Sequence, residues 1–383
     1  MKTSRIGVFA VVVALAGAAA FLAFPRVPDI LRIGVAAPLS GPLAPQGQDL
    51  LDGVTLAVEE LNAAGGVRVA GKLVKLAVVS GDDKANPDEG RRVAQTLVDQ
   101  HVLVAVAHLN SGVSIPAAPL YAKAGIPQLA ISTKPDYTRL GLPTTLRLVA
   151  NDDMQSVAMG SYALQMPGAE RIAVVDDGTP YGKGLADQAA AVIGKSKRSI
   201  VLQRGLDNKT TEFGDLVAAM GQAQVDLLVT TLADFQVRAL VDALVKAGQT
   251  RVRILGGDVL KTPAVQDAAT LVGGIYAASP ILEAREFLQG KGFLERFRKR
   301  FNHDPVYGAH YTYDAVFVVA DALARNGSVD QAALLARLKQ FDGNAPVTGT
   351  MRFADTGEQR YGSIGIYRLG RERWELVLRS DSW

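Results

Sequence analysis

From residue 31 onward the chain alternates between short apolar runs and longer stretches whose apolar residues recur three or four apart. The runs "LRIGVAA" (31–37), "KLVKLAVVS" (72–80), "VLVAVAH" (102–108) and "IPQLAI" (126–131) have the length and near-unbroken hydrophobicity of strands buried in a parallel sheet. Helical patterns fall between them near 48–64, 87–100 and 112–124. Asn86-Pro87 predicts a helix start: Asn as cap, Pro at the first helical position, and Asp88 and Glu89 in the first turn, where free N–H groups favour negative charge.

A second series repeats the rhythm. "RIAVVDD" (171–177), "SIVLQRG" (199–205), "VDLLVTT" (225–231), "RILGGD" (253–258) and "GGIYAAS" (273–279) read as strands, separated by helices near 153–165, 180–194, 212–222 and 234–247. Thr179-Pro180 repeats the cap-and-proline signal. The alternation predicts two doubly wound α/β units, each a parallel sheet with helices on both faces. The C-terminal part breaks the pattern with helices at about 285–301, 307–326 and 330–340. After them "TGTMRFADTGEQRYGSIGIYRLGRERWELVLRS" alternates like antiparallel strands, with turns at Asp355-Thr356-Gly357 and Gly370-Arg371. Such a tail implies a chain that returns across both units.

Composition narrows the classes. A chain of 383 residues, 48% hydrophobic and 21% charged, is long enough for two domains and has a globular profile. With 41 basic against 38 acidic residues, charge gives no reason to expect a nucleic-acid partner. The basic cluster "RFRKR" (296–300) shares its helix with Phe293, Phe297 and Phe301, and reads as a solvated face over a buried aromatic stripe. The absence of cysteine excludes thiol nucleophiles, disulfides, Cys-bound metals and lipidation through an N-terminal Cys.

Lys2 and Arg5 precede an uncharged apolar stretch, 6–24, with small residues at Ala18, Ala19 and Ala20. This layout resembles a secretory signal peptide with an A-x-A cleavage site, so residues 1–25 are expected to be removed. An uncleaved anchor is the alternative, because the stretch is just long enough to span a bilayer. Either places the remainder outside the cytoplasm, and no later stretch could span a membrane.

The common catalytic constellations are missing. There is no G-x-S-x-G, H-E-x-x-H or Ser-x-x-Lys motif, and "GTPYGKG" (178–184) has the wrong spacing for a phosphate loop. The first strand runs into "PLSGPLAPQGQ" rather than a dinucleotide-binding G-x-G-x-x-G. His303 and His310 flank a Pro-containing turn, a poor basis for a metal site, and His108 reads as a strand-end packing residue. The pairs Asp82-Asp83, Asp152-Asp153 and Asp176-Asp177 sit at strand ends, where carboxylates form caps and turns.

One strand end carries unusual chemistry. "HLNSGVS" (108–114) places an amide, two hydroxyls and a glycine between a buried strand and a helix, and "STKP" (132–135) follows the next strand. In open parallel sheets ligands bind beyond the carboxyl ends of the strands, and a helix start with short hydroxyls suits a carboxylate. Ser111 and Ser132 as plain N-caps is the competing reading, and spacing leaves both open.

Taken together, "RIGVAAPLSGPLAPQGQDLLDGVTLAVEELNAAGGV", "GDDKANPDEG", "AHLNSGVSIPAAPLYAKAGIP", "KPDYT", "AVVDDGTPYGKGLA", "ILGGD" and "GAHYTYDAVFVVADAL" resemble, in order and spacing, the type I periplasmic solute-binding proteins of branched-chain amino acid ABC transporters. The resemblance implies two lobes joined by three crossover segments, near 149–152, 277–281 and 348–352. Lobe 1 would comprise 31–149 plus 280–349, and lobe 2 150–279 plus 350–383. It further implies that Ser111 holds a ligand α-carboxylate and that Ser132 and Thr133 share the carboxylate and ammonium. Asp258 falls on the acidic position that meets the α-ammonium, Tyr181 on the tyrosine that covers the ligand, and Asp152 on an acidic crossover position.

Departures bear on specificity. Gln46 stands where an aromatic is common, Asn110 replaces a small apolar residue, Ala233 replaces a tyrosine, and the 129–133 loop is one residue short. A pocket that gains amides and loses aromatics is less suited to a leucine-like side chain. The implied protein is a periplasmic, non-enzymatic component of an ABC importer, with an amino acid, branched-chain or related, as ligand in the cleft between two closing lobes and inner-membrane permease subunits as partners. It would need no cofactor, metal or nucleic acid. A membrane-anchored sensor or receptor module of the same fold that recognises an amide, an amino acid or another small molecule, and a hydrolase using the acidic residues, are the rivals.

Overall fold

The computed structural model describes residues 27–382. The expected signal segment, 1–25, lies outside them. Strands β1 (Ile30–Ala37), β2 (Val67–Val69), β3 (Lys72–Asp82), β4 (Val104–Ala107), β5 (Gln128–Ala130) and β6 (Thr145–Arg147) form one sheet in the order β2-β3-β1-β4-β5-β6. Its strands run parallel except for the short β2, which is antiparallel to β3. Helices α1 (Ala44–Ala63), α2 (Pro87–Asp99) and α3 (Ser111–Lys123) connect them. The chain then continues through α4 (Asp152–Gln165), β7 (Arg171–Asp176), α5 (Pro180–Ile193), β8 (Ser199–Gly205), α6 (Gly214–Gln222), β9 (Leu227–Thr230), α7 (Asp234–Lys246), β10 (Arg253–Gly256) and β11 (Gly274–Ser279). Helices α8 (Gly290–Phe301), α9 (Ala309–Asn326) and α10 (Gln331–Lys339) follow, then β12 (Asp342–Ala345), β13 (Gly349–Arg352), β14 (Gly365–Leu369) and β15 (Trp374–Arg379). The second sheet has the order β15-β14-β11-β10-β9-β7-β8, with β14 and β15 as its antiparallel edge. The molecule thus has the two doubly wound α/β sheets that the alternation predicts.

The apolar runs become strands because both faces are covered: every residue of β4 and β9 is buried. The helix starts are capped as read. Asn86 accepts from the N–H groups of Asp88 and Glu89, and Thr179 accepts from that of Gly182. The aromatic stripe is buried at Phe293 and Phe297, while Arg296, Arg298 and Arg300 pair outward with Glu60, Asp304 and Glu59.

Each sheet has its own core, and three segments pass between them. Val149 packs with the first core and Ala150 with the second; Ala278 packs with the second and Ile281 with the first. The third passage differs from the expected 348–352. Strand β13 pairs with β12, not with the second sheet, and Ala345, Val347, Met351 and Phe353 all lie in the first core. Arg147 N–H donates to the Gly357 carbonyl, and only from Ile364 does the chain join the second core. Residues 350–357 therefore belong with the first sheet. Asp314 of α9 holds the β12–β13 turn there through the N–H groups of Val347 and Thr348. The helix expected at 285–301 is also shorter, because a 3-10 turn at Ala284–Glu286 precedes Gly290.

Candidate functional site

The carboxyl ends of β4 and β5 lead into the two hydroxyl-bearing loops. Asn110 is the N-cap of α3, yet its side chain makes no capping bond, and its Oδ1 is buried without a partner. Ser111 is the first helical residue and not a cap. Its Oγ accepts from the Lys134 N–H at 3.1 Å, which ties the two loops together and leaves the hydroxyl proton to donate elsewhere. Ser132 turns the other way. Its side chain is buried against Ser114, with 2.5 Å between the hydroxyls, and its carbonyl accepts from Arg147. Thr133 remains partly exposed, and its carbonyl accepts from the Asp152 N–H at 3.0 Å. Gln46, in the first turn of α1 beyond β1, has a buried Oε1 without a partner.

From the second sheet, Asp258 follows β10 and Tyr181 opens α5 after β7. The Tyr181 hydroxyl donates to Asp258 Oδ1 at 2.5 Å, and Gln155 Nε2 donates to the same oxygen at 3.0 Å and to the Ala278 carbonyl at 2.9 Å. Gly257 eases this approach slightly: a Cβ there would stand 3.1 Å from Leu185, 3.3 Å from the Tyr181 hydroxyl and 3.4 Å from Gln155 Nε2. Ala233 occupies the N-cap position of α7, with no side chain able to cap it.

The electrostatics show which groups share the space. Burial, then the charges of Asp258 and Asp152, raises the Tyr181 phenol well above its usual value. The Tyr307 phenol, just ahead of α9, is raised by burial and by the same two carboxylates. Asp152 itself is pushed up to about 6, chiefly by burial, opposed by the Thr133 hydroxyl and reinforced by Asp258. Its Oδ1 has no partner. Asp152, Tyr181, Asp258 and Tyr307 thus form one cluster between the sheets, and a cation beside Asp258 would relieve its like-charge repulsion.

Sequence reasoning missed Gln155, Tyr307 and Asp49. Gln155 lies three residues after Asp152 on α4, a spacing that puts both on one helix face and could have identified it. Tyr307 carries no local signal. Asp49 of α1 is buried, and its carboxylate accepts from the N–H groups of Val306, Tyr307, Gly308 and Ala309, thereby fixing the start of α9. The acidic strand-end pairs are turn formers for the most part: Asp82 accepts from Leu39 and Lys84, and Asp177 from Thr179. His108 is fully buried and bonds Asp83 at 2.7 Å.

The periplasmic binding protein family model matches residues 30–370. An amino acid binding protein of Pseudomonas aeruginosa PAO1 is 31% identical over 344 residues, covering 88% of this chain and 89% of that protein. The Leu/Ile/Val-binding protein homolog 1 of Brucella abortus 2308 is 28% identical over 344 residues, covering 89% of this chain and 90% of that protein. Among solved structures, an ABC transporter substrate-binding protein of Desulfitobacterium hafniense in complex with Leu superposes with a TM-score of 0.77 at 25% identity, covering 91% of this chain and all of that one. With two doubly wound sheets, three passages between them and a polar cluster at the strand ends, the chain belongs to the periplasmic binding protein family.

Proposed function

We propose that this protein is the solute-binding component of an ABC importer and holds an amino acid between its two lobes. One observation carries the reading. The Asp258 carboxylate, oriented by Tyr181 and Gln155 on the second sheet, lies within electrostatic reach of Asp152 and Tyr307, while Ser111 at the start of α3 is tied to the loop of Thr133 and Lys134, which in turn holds the Asp152 N–H. The α-carboxylate is received by the Ser111 hydroxyl and first-turn N–H groups, whose positive helix end favours an anion. The α-ammonium lies against Asp258, where a charge-assisted bond offsets the cost of removing the cation from water. Thr133 and Asn110 complete the first side, and Tyr181 covers the second. Ser132 serves by orienting its loop rather than by touching the ligand. A ligand that bridges both sides binds the closed arrangement better than the open one, and a membrane permease then reads the closed lobes. The names of the Pseudomonas and Brucella relatives agree with an amino-acid ligand. We place the protein in the periplasm as an exported binder that returns its ligand unchanged; among the described residues no helix is long and apolar enough to cross a membrane.

Calorimetric titration of the mature chain with a panel of amino acids tests this. Asp258→Asn keeps the acceptor for Tyr181 but removes the charge. It should weaken amino-acid binding by about tenfold to a hundredfold, the worth of a hydrogen bond to a charged group. The melting temperature of the ligand-free protein should stay nearly unchanged. Equal affinity in wild type and variant would remove Asp258 from the clamp.

A further inference from the structure

The polar cluster opens on one side into a cavity of about 370 Å³ walled by Asp258, Lys261, Ser279, Glu283, Tyr307 and His310. His310 is its unexplained member. It is 1% exposed and packs against Phe287, Phe293 and Tyr311, with ring centroids 5.5, 6.1 and 4.3 Å away. Neither ring nitrogen has a hydrogen-bond partner of good geometry. Buried polar groups in folded proteins are partnered as a rule, so an imidazole that has only a poorly aligned contact with the Leu282 carbonyl and lies beside a cavity calls for a group in that cavity.

The charge of that group follows from its neighbours. Burial depresses His310 to about 3, opposed by the poorly aligned hydrogen bond with the Leu282 carbonyl and aided to a smaller extent by the Lys261 cation, so the ring is neutral at physiological pH. A neutral imidazole presents one donor and one acceptor. The fixed charges around the cavity are already matched. Lys261 Nζ lies 3.3 Å from Glu283 and 4.2 Å from the centre of the Tyr367 ring; Arg285 bonds Glu283 at 2.8 Å, and Arg298 bonds Asp304 at 2.6 Å. Among the described carboxylates that wall this cavity, Asp258 is the one with no cationic partner, which leaves it for the ligand's ammonium. A second ligand charge would have to break one of these pairs, and a hydrocarbon would leave the imidazole unmet.

We propose that this cavity is the side-chain subsite and that His310 selects an uncharged side chain able both to donate and to accept a hydrogen bond, a carboxamide such as that of glutamine or asparagine. The inference rests on the amino-acid reading above, with the ammonium at Asp258 setting the direction in which the side chain points. It also gives the polar departures at Gln46 and Asn110 a common sense, since both carry buried carbonyl oxygens without partners.

The test is competitive calorimetric titration of the wild-type mature chain with glutamine, asparagine, leucine, valine and glutamate, repeated with His310→Phe and His310→Leu. In wild type, glutamine or asparagine should bind at least tenfold more tightly than leucine, valine or glutamate. In the variants the amide should lose at least tenfold while leucine is unchanged or improved. Leucine or valine as the tightest wild-type ligand overturns the subsite while leaving the amino-acid clamp in place. Equal losses for amide and aliphatic ligands in folded variants also overturn it, because His310 would then be only a packing residue. If no α-amino acid binds wild type at all, both the clamp and the subsite fall. The wild-type preference alone decides the matter should neither variant fold.

Discussion

At the scale of single residues, Asp152 is the group whose behaviour is most open to measurement. Its carboxyl titrates near 6 in the folded chain against 3.8 for an ordinary aspartate. Between those values the native state holds the proton more firmly than the unfolded one, so on this account stability falls as pH rises from about 4 to about 6 and stays lower above. Asp152→Asn removes the buried charge. Its melting temperature relative to wild type should match near pH 4 and become higher through about pH 6, as read by thermal denaturation of the ligand-free protein. A constant offset across that range would mean that the shift does not arise at this carboxyl. Binding has the opposite slope: an ammonium at Asp258 favours ionised Asp152, so wild-type affinity should rise several-fold between about pH 5 and 7, and Asp152→Asn should flatten the profile.

At the scale of elements, the approach of α1 to α9 positions much of the site. Gly53 of α1 lies so close that a Cβ would stand 2.1 Å from the Ala309 carbonyl and 2.4 Å from the Thr312 hydroxyl. The same contact lets Asp49, one turn earlier, hold the N–H groups of residues 306–309 and so place Tyr307 and His310. Because the obstacle is backbone, Gly53→Ala must push the helices apart and should cost about 2 kcal/mol, within the usual range for overpacking. Urea denaturation reads this loss, and ligand binding should weaken with it as Asp49 withdraws. A variant as stable as wild type would show that the helices separate freely. The loop after β5 is held by a second device: buried Arg147 donates to the carbonyls of Ser132 and Lys134 and pairs with Glu358 of the third passage at 2.8 Å. The loop after β5 and the passage between the sheets are thus tied by one side chain.

At the scale of the whole molecule, the two sheets have separate cores yet share three passages, so ligand held between them couples to the stability of both. At a hundred times its dissociation constant a ligand that binds only the folded state should add about 2.7 kcal/mol. Closure should also lower the radius of gyration in solution scattering. Stabilisation without contraction would place binding on one lobe alone.

The apolar runs, their spacing and the caps at Asn86 and Thr179 were sufficient to identify two doubly wound units, because strand burial and helix capping depend on residues close in the chain. The hydroxyl loop at Ser111 was legible for the same reason: it lies where a buried run ends and a helix begins. The short strands β2, β6 and β12 were not, since three or four residues carry no period. Tertiary structure alone decided that 350–357 stay with the first sheet, through the pairing of β13 with β12 and the grip of Asp314. It alone turned Ser132 inward to Ser114, for a side chain's direction follows from what packs against its loop. The resemblance had already grouped Asp152, Tyr181 and Asp258, but tertiary structure alone added Tyr307 and His310 beside Asp258. The five stand on different elements of both sheets, and only the three passages between the lobes make such distant residues neighbours.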